Sequence, residues 1–88
     1  MIARKIHFSG RVQGVGFRYT AREVAAAFKV AGYVRNLDNG DVELVAQGEE
    51  AEVARFLTAL EQRMRGYIEG RHDEDEPVGD FGGFEIRR

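Results

Sequence analysis

The stretch that decides the fold is residues 2–32, IARKIHFSGRVQGVGFRYTAREVAAAFKVAG. Apolar and polar residues alternate from Ile2 to Ser9, which predicts a strand with one buried face. Three glycines between Gly10 and Gly16 then interrupt the pattern. A helix is predicted next, with a left-handed cap at Gly32, because small or apolar residues recur at helical spacing: Phe17, Ala21, Val24, Phe28 and Ala31.

Two further strands follow the helix and form a hairpin. They are predicted at Tyr33–Leu37 and Asp41–Gln47, with Asp38-Asn39-Gly40 between them. Asn-Gly between two alternating runs is a strong hairpin signal, because the tight turns that match strand twist need positive φ. The sequence therefore predicts a β-hairpin closed at Asn39-Gly40.

A second helix begins after the hairpin and is closed by Gly66. Its first turn is acidic and its last turn carries arginines, as the helix dipole favours. Its apolar face is Val53, Phe56, Leu57, Leu60 and Met64. A fourth strand is left open over residues 67–76 because residues 69–76 are mostly charged, and a short extra strand is predicted at Phe84–Ile86.

This order, βαββαβ with a short extra C-terminal strand, indicates an α+β fold of the ferredoxin-like type in one domain, residues 1–88. In that arrangement two helices cover one face of an antiparallel sheet. The first two strands run parallel because a helix connects them. Their carboxyl ends therefore open on one sheet edge, where the loop Gly10–Arg18 and Asn36 are expected to meet.

Composition excludes several classes of function. The 88 residues contain no cysteine, so disulfides, thiolate zinc sites, iron–sulfur clusters and cysteine nucleophiles are excluded, and two histidines make a closed metal site improbable. Thirteen basic against fifteen acidic residues argue against a nucleic-acid binder. The longest uncharged apolar stretch, Val24–Phe28, is too short to cross a membrane, and no apolar signal-peptide core follows Met1. A cytoplasmic protein is expected.

The glycine loop and two polar residues are the candidates for chemistry. Gly10, Gly14 and Gly16 leave backbone N–H groups unobstructed before a helix N-terminus, which attracts phosphate, although a tight turn alone would explain some of these glycines. Arg18 falls in the first helical turn, where the dipole disfavours a cation, so a bound anion is favoured over a solvated arginine. Asn36 is either a turn former or an amide that holds a water.

The histidines and the acidic run are interpreted as structural. His7 is predicted on the solvent-facing side of the first strand, pointing away from the helices. The run from His72 to Glu76 carries oxygen ligands, but alternate strand residues face opposite sides and cannot all chelate one ion. A solvated, solubilising edge is favoured there, and no metal site is predicted.

Two segments carry a resemblance to a known family. GRVQGVGFR at Gly10–Arg18 and GYVRNLDNGDVE at Gly32–Glu43 resemble the two signature motifs of the acylphosphatases. Ala46–Gly48 and Gly83–Ile86 also look like that family, so the resemblance covers essentially the whole chain. The polar stretch Arg71–Glu76 departs from it, because members usually place alternating apolar residues in the fourth strand.

The resemblance implies a ferredoxin-like fold and hydrolysis of acyl phosphates to carboxylate and inorganic phosphate, with no metal and no cofactor. By motif, Arg18 resembles the phosphate-binding arginine and Asn36 the residue that orients the attacking water. The phosphate-binding set implied is Gln13, Gly14, Val15, Gly16, Phe17 and Arg18.

A non-catalytic ferredoxin-like module that binds a phosphate-containing ligand is the alternative, since a fold does not fix a function. Acylphosphatase-like modules also occur fused in carbamoyl-transfer maturation proteins. Arg18 together with Asn36 favours hydrolysis, because binding alone needs no water-orienting amide. A monomer acting on a small molecule is expected. Tyr19 is expected to shape the acyl pocket, but nothing in the sequence fixes one substrate.

Overall fold

The computed structural model describes all 88 residues, Met1–Arg88. In chain order the elements are β1 (Ile2–Gly10), α1 (Phe17–Ala25), β2 (Val30–Asn36), β3 (Val42–Gly48), α2 (Glu50–Arg63), β4 (Ile68–Glu76) and β5 (Phe84–Arg87). The strands form one sheet in the order β4-β1-β3-β2-β5, antiparallel except where β5 pairs parallel with β2. The predicted ferredoxin-like α+β fold, with its short extra C-terminal strand, is confirmed.

The core lies between the two helices and one face of the sheet. Strand register puts side chains of the three central strands in rows, and Leu44 of β3 pairs with both Ile6 and Val34. All three are fully buried, as is Phe56 of α2. In the next row Val42 pairs with both Phe8 and Asn36. Because side chains alternate along a strand, Asn36 shares the helix-covered face with Val34.

The first helix is shorter than the sequence predicts, and Gly32 is not its cap. The helix ends at Ala25, and Gly32 lies inside β2 with φ of 138°. A Cβ on Gly32 would stand 1.9 Å from the carbonyl oxygen of Val45, so the close approach of β3 requires glycine there. Phe28 keeps helical spacing because it packs from the connecting turn onto Phe56, with ring centroids 6.4 Å apart.

The fourth strand, whose extent was open, is nine residues long and pairs with β1 at the sheet edge. Its charged side chains are held by ion pairs. Arg71 lies 2.6 Å from Asp73 and 2.7 Å from Glu61 of α2. The hydrogen bond from Arg71 lowers the pKa of Asp73. An edge strand tolerates this pattern because its backbone pairing does not require two apolar faces.

The face of the sheet without helices is partly covered by the segment that joins the two edge strands, residues 77–83. The carboxamide of Gln47 on central strand β3 accepts a hydrogen bond from the N–H of Gly79 at 2.7 Å and donates one to its carbonyl oxygen at 3.0 Å. Phe81 packs against Tyr33, with centroids 6.2 Å apart. Among the helices of the structure, none has the length and apolar character needed to cross a membrane.

Candidate active site

The loop between β1 and α1 is fixed at both ends. Val12 is completely buried in the core, and Phe17, the first residue of α1, is 2% exposed. Between them, Gly14 and Gly16 have φ of 76° and 78°, a left-handed conformation that glycine adopts without strain. The loop is therefore anchored in the core at both ends, and at these two positions in its middle no side chain shields the backbone.

The backbone N–H groups of this loop are free. None of those from residues 12–19 donates a hydrogen bond to another group of the protein. The first turn of α1 contains no acidic residue, and no side chain caps the helix at Gly16. Unpaired N–H groups at the positive end of a helix dipole are suited to binding an anion such as phosphate.

A cavity of about 220 Å³ lies in front of this loop. It is lined by Val12, Gly14, Gly16, Phe17, Arg18, Tyr19 and Asn36. The structure thus brings Arg18 and Asn36 together with the glycine loop, as the topology predicts. Arg18 has no carboxylate partner in the protein. Its guanidinium charge is not neutralised internally and is available to an anion.

Two residues of the predicted phosphate-binding set, Gln13 and Val15, do not line the cavity. Gln13 instead turns its side chain to the β2–β3 hairpin, where Nε2 donates to the carbonyl oxygens of Leu37 at 2.8 Å and Asp41 at 2.9 Å. Only the backbone N–H groups of these two residues remain candidates for phosphate binding. The sequence alone did not reveal these hydrogen bonds of Gln13 or the burial of Val12, although an apolar residue within a glycine loop is a signal for such burial.

Asn36 carries the most informative atom of the site. Its Oδ1 is shielded from solvent and has no hydrogen-bond partner within the protein. Leaving a buried acceptor unpaired is unfavourable, and such exceptions need an explanation. The position of Asn36 in the cavity wall supplies one, because a donor that enters the cavity with the substrate would satisfy the oxygen.

The histidines lie outside this cavity. His7 and His72 are cross-strand partners in β1 and β4. Nε2 of His7 is 3.5 Å from Oε1 of Glu43, on the helix-free face as the alternation predicts. Across the structure, no group of three or more His, Asp or Glu side chains is arranged to hold a metal ion.

Glu43 is the centre of a polar cluster on that helix-free face and is 5% exposed. Its carboxylate accepts hydrogen bonds from Tyr33 Oη at 2.9 Å and from Arg35 Nε at 2.7 Å. Desolvation by burial raises the pKa of Glu43, but these two hydrogen bonds and the charge of Arg35 outweigh it, so the pKa is lowered overall. The cluster stabilises the sheet and does not contact the cavity.

Comparison with known proteins gives consistent matches. A sequence model of the acylphosphatases matches residues 4–86. An acylphosphatase of Petrotoga mobilis is 41% identical over an alignment of 88 positions, which covers 98% of each chain. The crystal structure of an acylphosphatase from Bacillus subtilis has a TM-score of 0.90 at 32% identity and covers 100% of both chains. The chain also matches HypF of T. kodakarensis with a TM-score of 0.87 at 30% identity, but spans only 12% of that protein.

Proposed function

The chain belongs to the acylphosphatase family and hydrolyses the carboxyl–phosphate bond of acyl phosphates, and on this premise we propose how its residues share the reaction. The loop backbone and Arg18 hold the phosphoryl group of the substrate. Asn36 orients the water that attacks phosphorus. The reaction needs neither a metal nor a cofactor.

The phosphoryl group is the first part of this proposal. Its oxygens accept hydrogen bonds from the backbone N–H groups of the loop, for which residues 13–17 are the candidates, and two of them pair with the guanidinium of Arg18. The unpaired N–H groups of residues 12–19 support this assignment. Because these donors are already fixed by Val12 and Phe17, they need little reorganisation as charge shifts in the transition state.

The attacking water is the second part of this proposal. The single observation that carries the proposal is Oδ1 of Asn36, a buried acceptor without a partner in the wall of the cavity that Arg18 also lines. A water molecule that donates to Oδ1 has its oxygen lone pair free for attack on phosphorus. The P–O bond to the acyl group then breaks, the carboxylate leaves with the bonding electrons, one water proton remains on the phosphate and the other is released to solvent. A carboxylate is a good leaving group, so positioning and electrostatic stabilisation suffice.

Titration with inorganic phosphate, the product, tests the phosphate site. Backbone amide resonances of Gly14–Phe17 are expected to shift first and to give one dissociation constant, equal to the inhibition constant of phosphate against a small aryl acyl phosphate. Shifts that cluster instead at His72–Glu76 would contradict the assignment of the loop.

The proposal also covers organisation and location. A single domain is supported by the family match, which extends over residues 4–86. A monomer is supported because the large exposed apolar side chains are few: Met1, Tyr19, Tyr67 and Val78. A cytoplasmic location is supported by the substrate class, since acyl phosphates are reactive anhydrides that form where ATP is available.

A further inference from the structure

A second and larger cavity adjoins the first. It measures about 420 Å³ and is lined by Arg18, Tyr19, Arg22, Ile86 and Arg88. Two of these residues, Arg18 and Tyr19, also line the 220 Å³ cavity that contains Asn36. A molecule with its phosphoryl group in the first cavity can therefore extend its remaining atoms into the second.

The side chains that line the second cavity include three arginines and no acidic residue. None of its three arginines has a carboxylate within 4.0 Å, and no Asp or Glu is among its lining residues. Most other arginines of the chain do have such a partner: Arg4, Arg35, Arg55, Arg63, Arg71 and Arg87. Unpaired arginines are thus concentrated at this cavity in a protein whose net charge is −2.

The placement of Arg18 is unfavourable for the protein alone. Arg18 and Arg22 are four residues apart on α1, so they lie on the same side of the helix, where like charges destabilise it. Arg18 is also near the positive end of the helix dipole, whereas Arg22 lies in the last turn, where the dipole favours a cation. The guanidinium of Arg22 is held over the ring of Tyr19, 5.4 Å from its centroid. A bound anion would offset both repulsions.

We propose that the second cavity is an acyl subsite that selects acyl phosphates whose acyl group carries a second anionic group, with Arg22 as the specificity-determining residue and Arg88 beside it. The side chains of Tyr19 and Ile86 contact the carbon skeleton, and the guanidinium groups pair with the second anion. This inference rests on the proposed function, because it requires the phosphoryl group to lie at the loop.

Two synthetic substrates of equal shape test the subsite. 4-Carboxybenzoyl phosphate carries a second anionic group, whereas 4-carbamoylbenzoyl phosphate has an uncharged carbamoyl group of the same shape in its place. The rigid ring prevents the carboxylate from attacking the anhydride. Wild type is expected to prefer the carboxylate compound by about five- to tenfold in kcat/KM, the gain that a partly exposed charged pair can supply. Arg22→Gln is expected to bring the ratio of the two kcat/KM values close to one. An effect of the substitution that is the same for both substrates does not change this ratio.

Arg65→Gln is the matched control, because Arg65 is also exposed and without an ion-pair partner but lies after α2, outside both cavities. It removes the same charge and should leave the ratio unchanged. A wild-type ratio near one, or the same loss of ratio in both variants, would overturn the acyl subsite while both compounds are still hydrolysed. Hydrolysis that is insensitive to Arg18 and Asn36 substitutions would instead overturn the proposed function and this inference with it.

Discussion

Nε2 of Gln13 donates a hydrogen bond to the carbonyl oxygen of Leu37, 2.8 Å away. Leu37 directly follows Asn36, so this bond ties the loop to the strand end that carries the asparagine. A second bond, to the carbonyl oxygen of Asp41 at 2.9 Å, fixes the same side chain to the start of β3. The side chain of Gln13, which lies outside the cavity, thus holds the glycine loop at a fixed distance from Asn36.

Gln13→Ala should therefore lower kcat by about three- to tenfold, because small misplacements of reacting groups are costly. The free energy of unfolding should fall by about 1–2 kcal/mol, since two hydrogen bonds are lost. Gln47→Ala is the matched control, because its carboxamide also makes two backbone hydrogen bonds, to Gly79 on the helix-free face. It should lose similar stability and keep wild-type kcat, as measured by urea unfolding and steady-state kinetics. Equal kcat in the two variants would show that Gln13 is only structural.

Gly32→Ala tests the revised end of α1. The new Cβ would stand 1.9 Å from the carbonyl oxygen of Val45, at a backbone φ of 138° that L side chains rarely adopt. Both effects destabilise, and together we expect a loss of about 3 kcal/mol or more in urea unfolding. Gly82→Ala, where a Cβ meets nothing within 4 Å, should change stability by less than about 0.5 kcal/mol. Equal stability of the two variants would contradict the pairing of β2 with β3 at Gly32.

Acid should destabilise the protein through Glu43. Burial raises the pKa of this carboxyl, but the hydrogen bonds from Arg35 and Tyr33 lower it more, so the folded pKa lies below the ordinary value of 4.5. The unfolded chain therefore binds the proton more readily, and the stabilisation is present above that value and lost as pH falls through the folded pKa. Urea unfolding between about pH 6 and pH 3 should show this decline, and Glu43→Gln should flatten it. Parallel curves for wild type and variant would exclude Glu43 as a source.

Arg18→Lys should lose most activity although the charge is kept, with kcat/KM down by about tenfold to a hundredfold. Lysine cannot reproduce the planar grip on two phosphoryl oxygens, so binding and turnover should both suffer. Arg63→Lys makes the same change at a surface pair with Glu23, 2.8 Å away on the helices, and should keep wild-type kinetics. Steady-state kinetics with an aryl acyl phosphate test this expectation. If kcat and KM of Arg18→Lys equal those of the wild type, Arg18 acts only through long-range charge.

The order of strands and helices, and the meeting of Arg18 and Asn36 at the glycine loop, could be predicted from the sequence because they follow from local signals. The alternation of β1, the Asn39-Gly40 turn and the apolar stripe of α2 each specify one element, and strand direction then places Asn36 beside the loop. The end of α1 could not be located in this way. Phe28 packs onto the core from the connecting turn, and Ala31 lies in β2 opposite Gln47 on the helix-free face, so their helical spacing does not come from a helix.

Features that depend on distant partners were beyond sequence reasoning. The charged β4 is a strand because β1 supplies its backbone partners and also its counter-ions, Arg4 for Asp73 and Lys5 for Glu76, and neither leaves an apolar pattern in β4. Gln13 was expected at the phosphate, and only the folded hairpin shows its bonds to Leu37 and Asp41. The second cavity likewise exists only where the end of the chain packs beside α1.

Asn36→Ala tests the central claim, that Asn36 addresses the attacking water and not the phosphoryl group. The measurement is paired: kcat for an aryl acyl phosphate and the inhibition constant of inorganic phosphate, on wild type and variant. Loss of an interaction made mainly in the transition state should lower kcat by about a hundredfold or more.

The inhibition constant should stay within about twofold, because Arg18 and the loop N–H groups remain. Asn39→Ala, which removes an amide from the hairpin turn where Asn39 Oδ1 accepts from the N–H of Asp41, is the control and should keep wild-type kcat. If Asn36→Ala weakens catalysis and phosphate inhibition equally, Asn36 is part of the phosphate site. If kcat and the inhibition constant both keep their wild-type values, Asn36 is only a turn former.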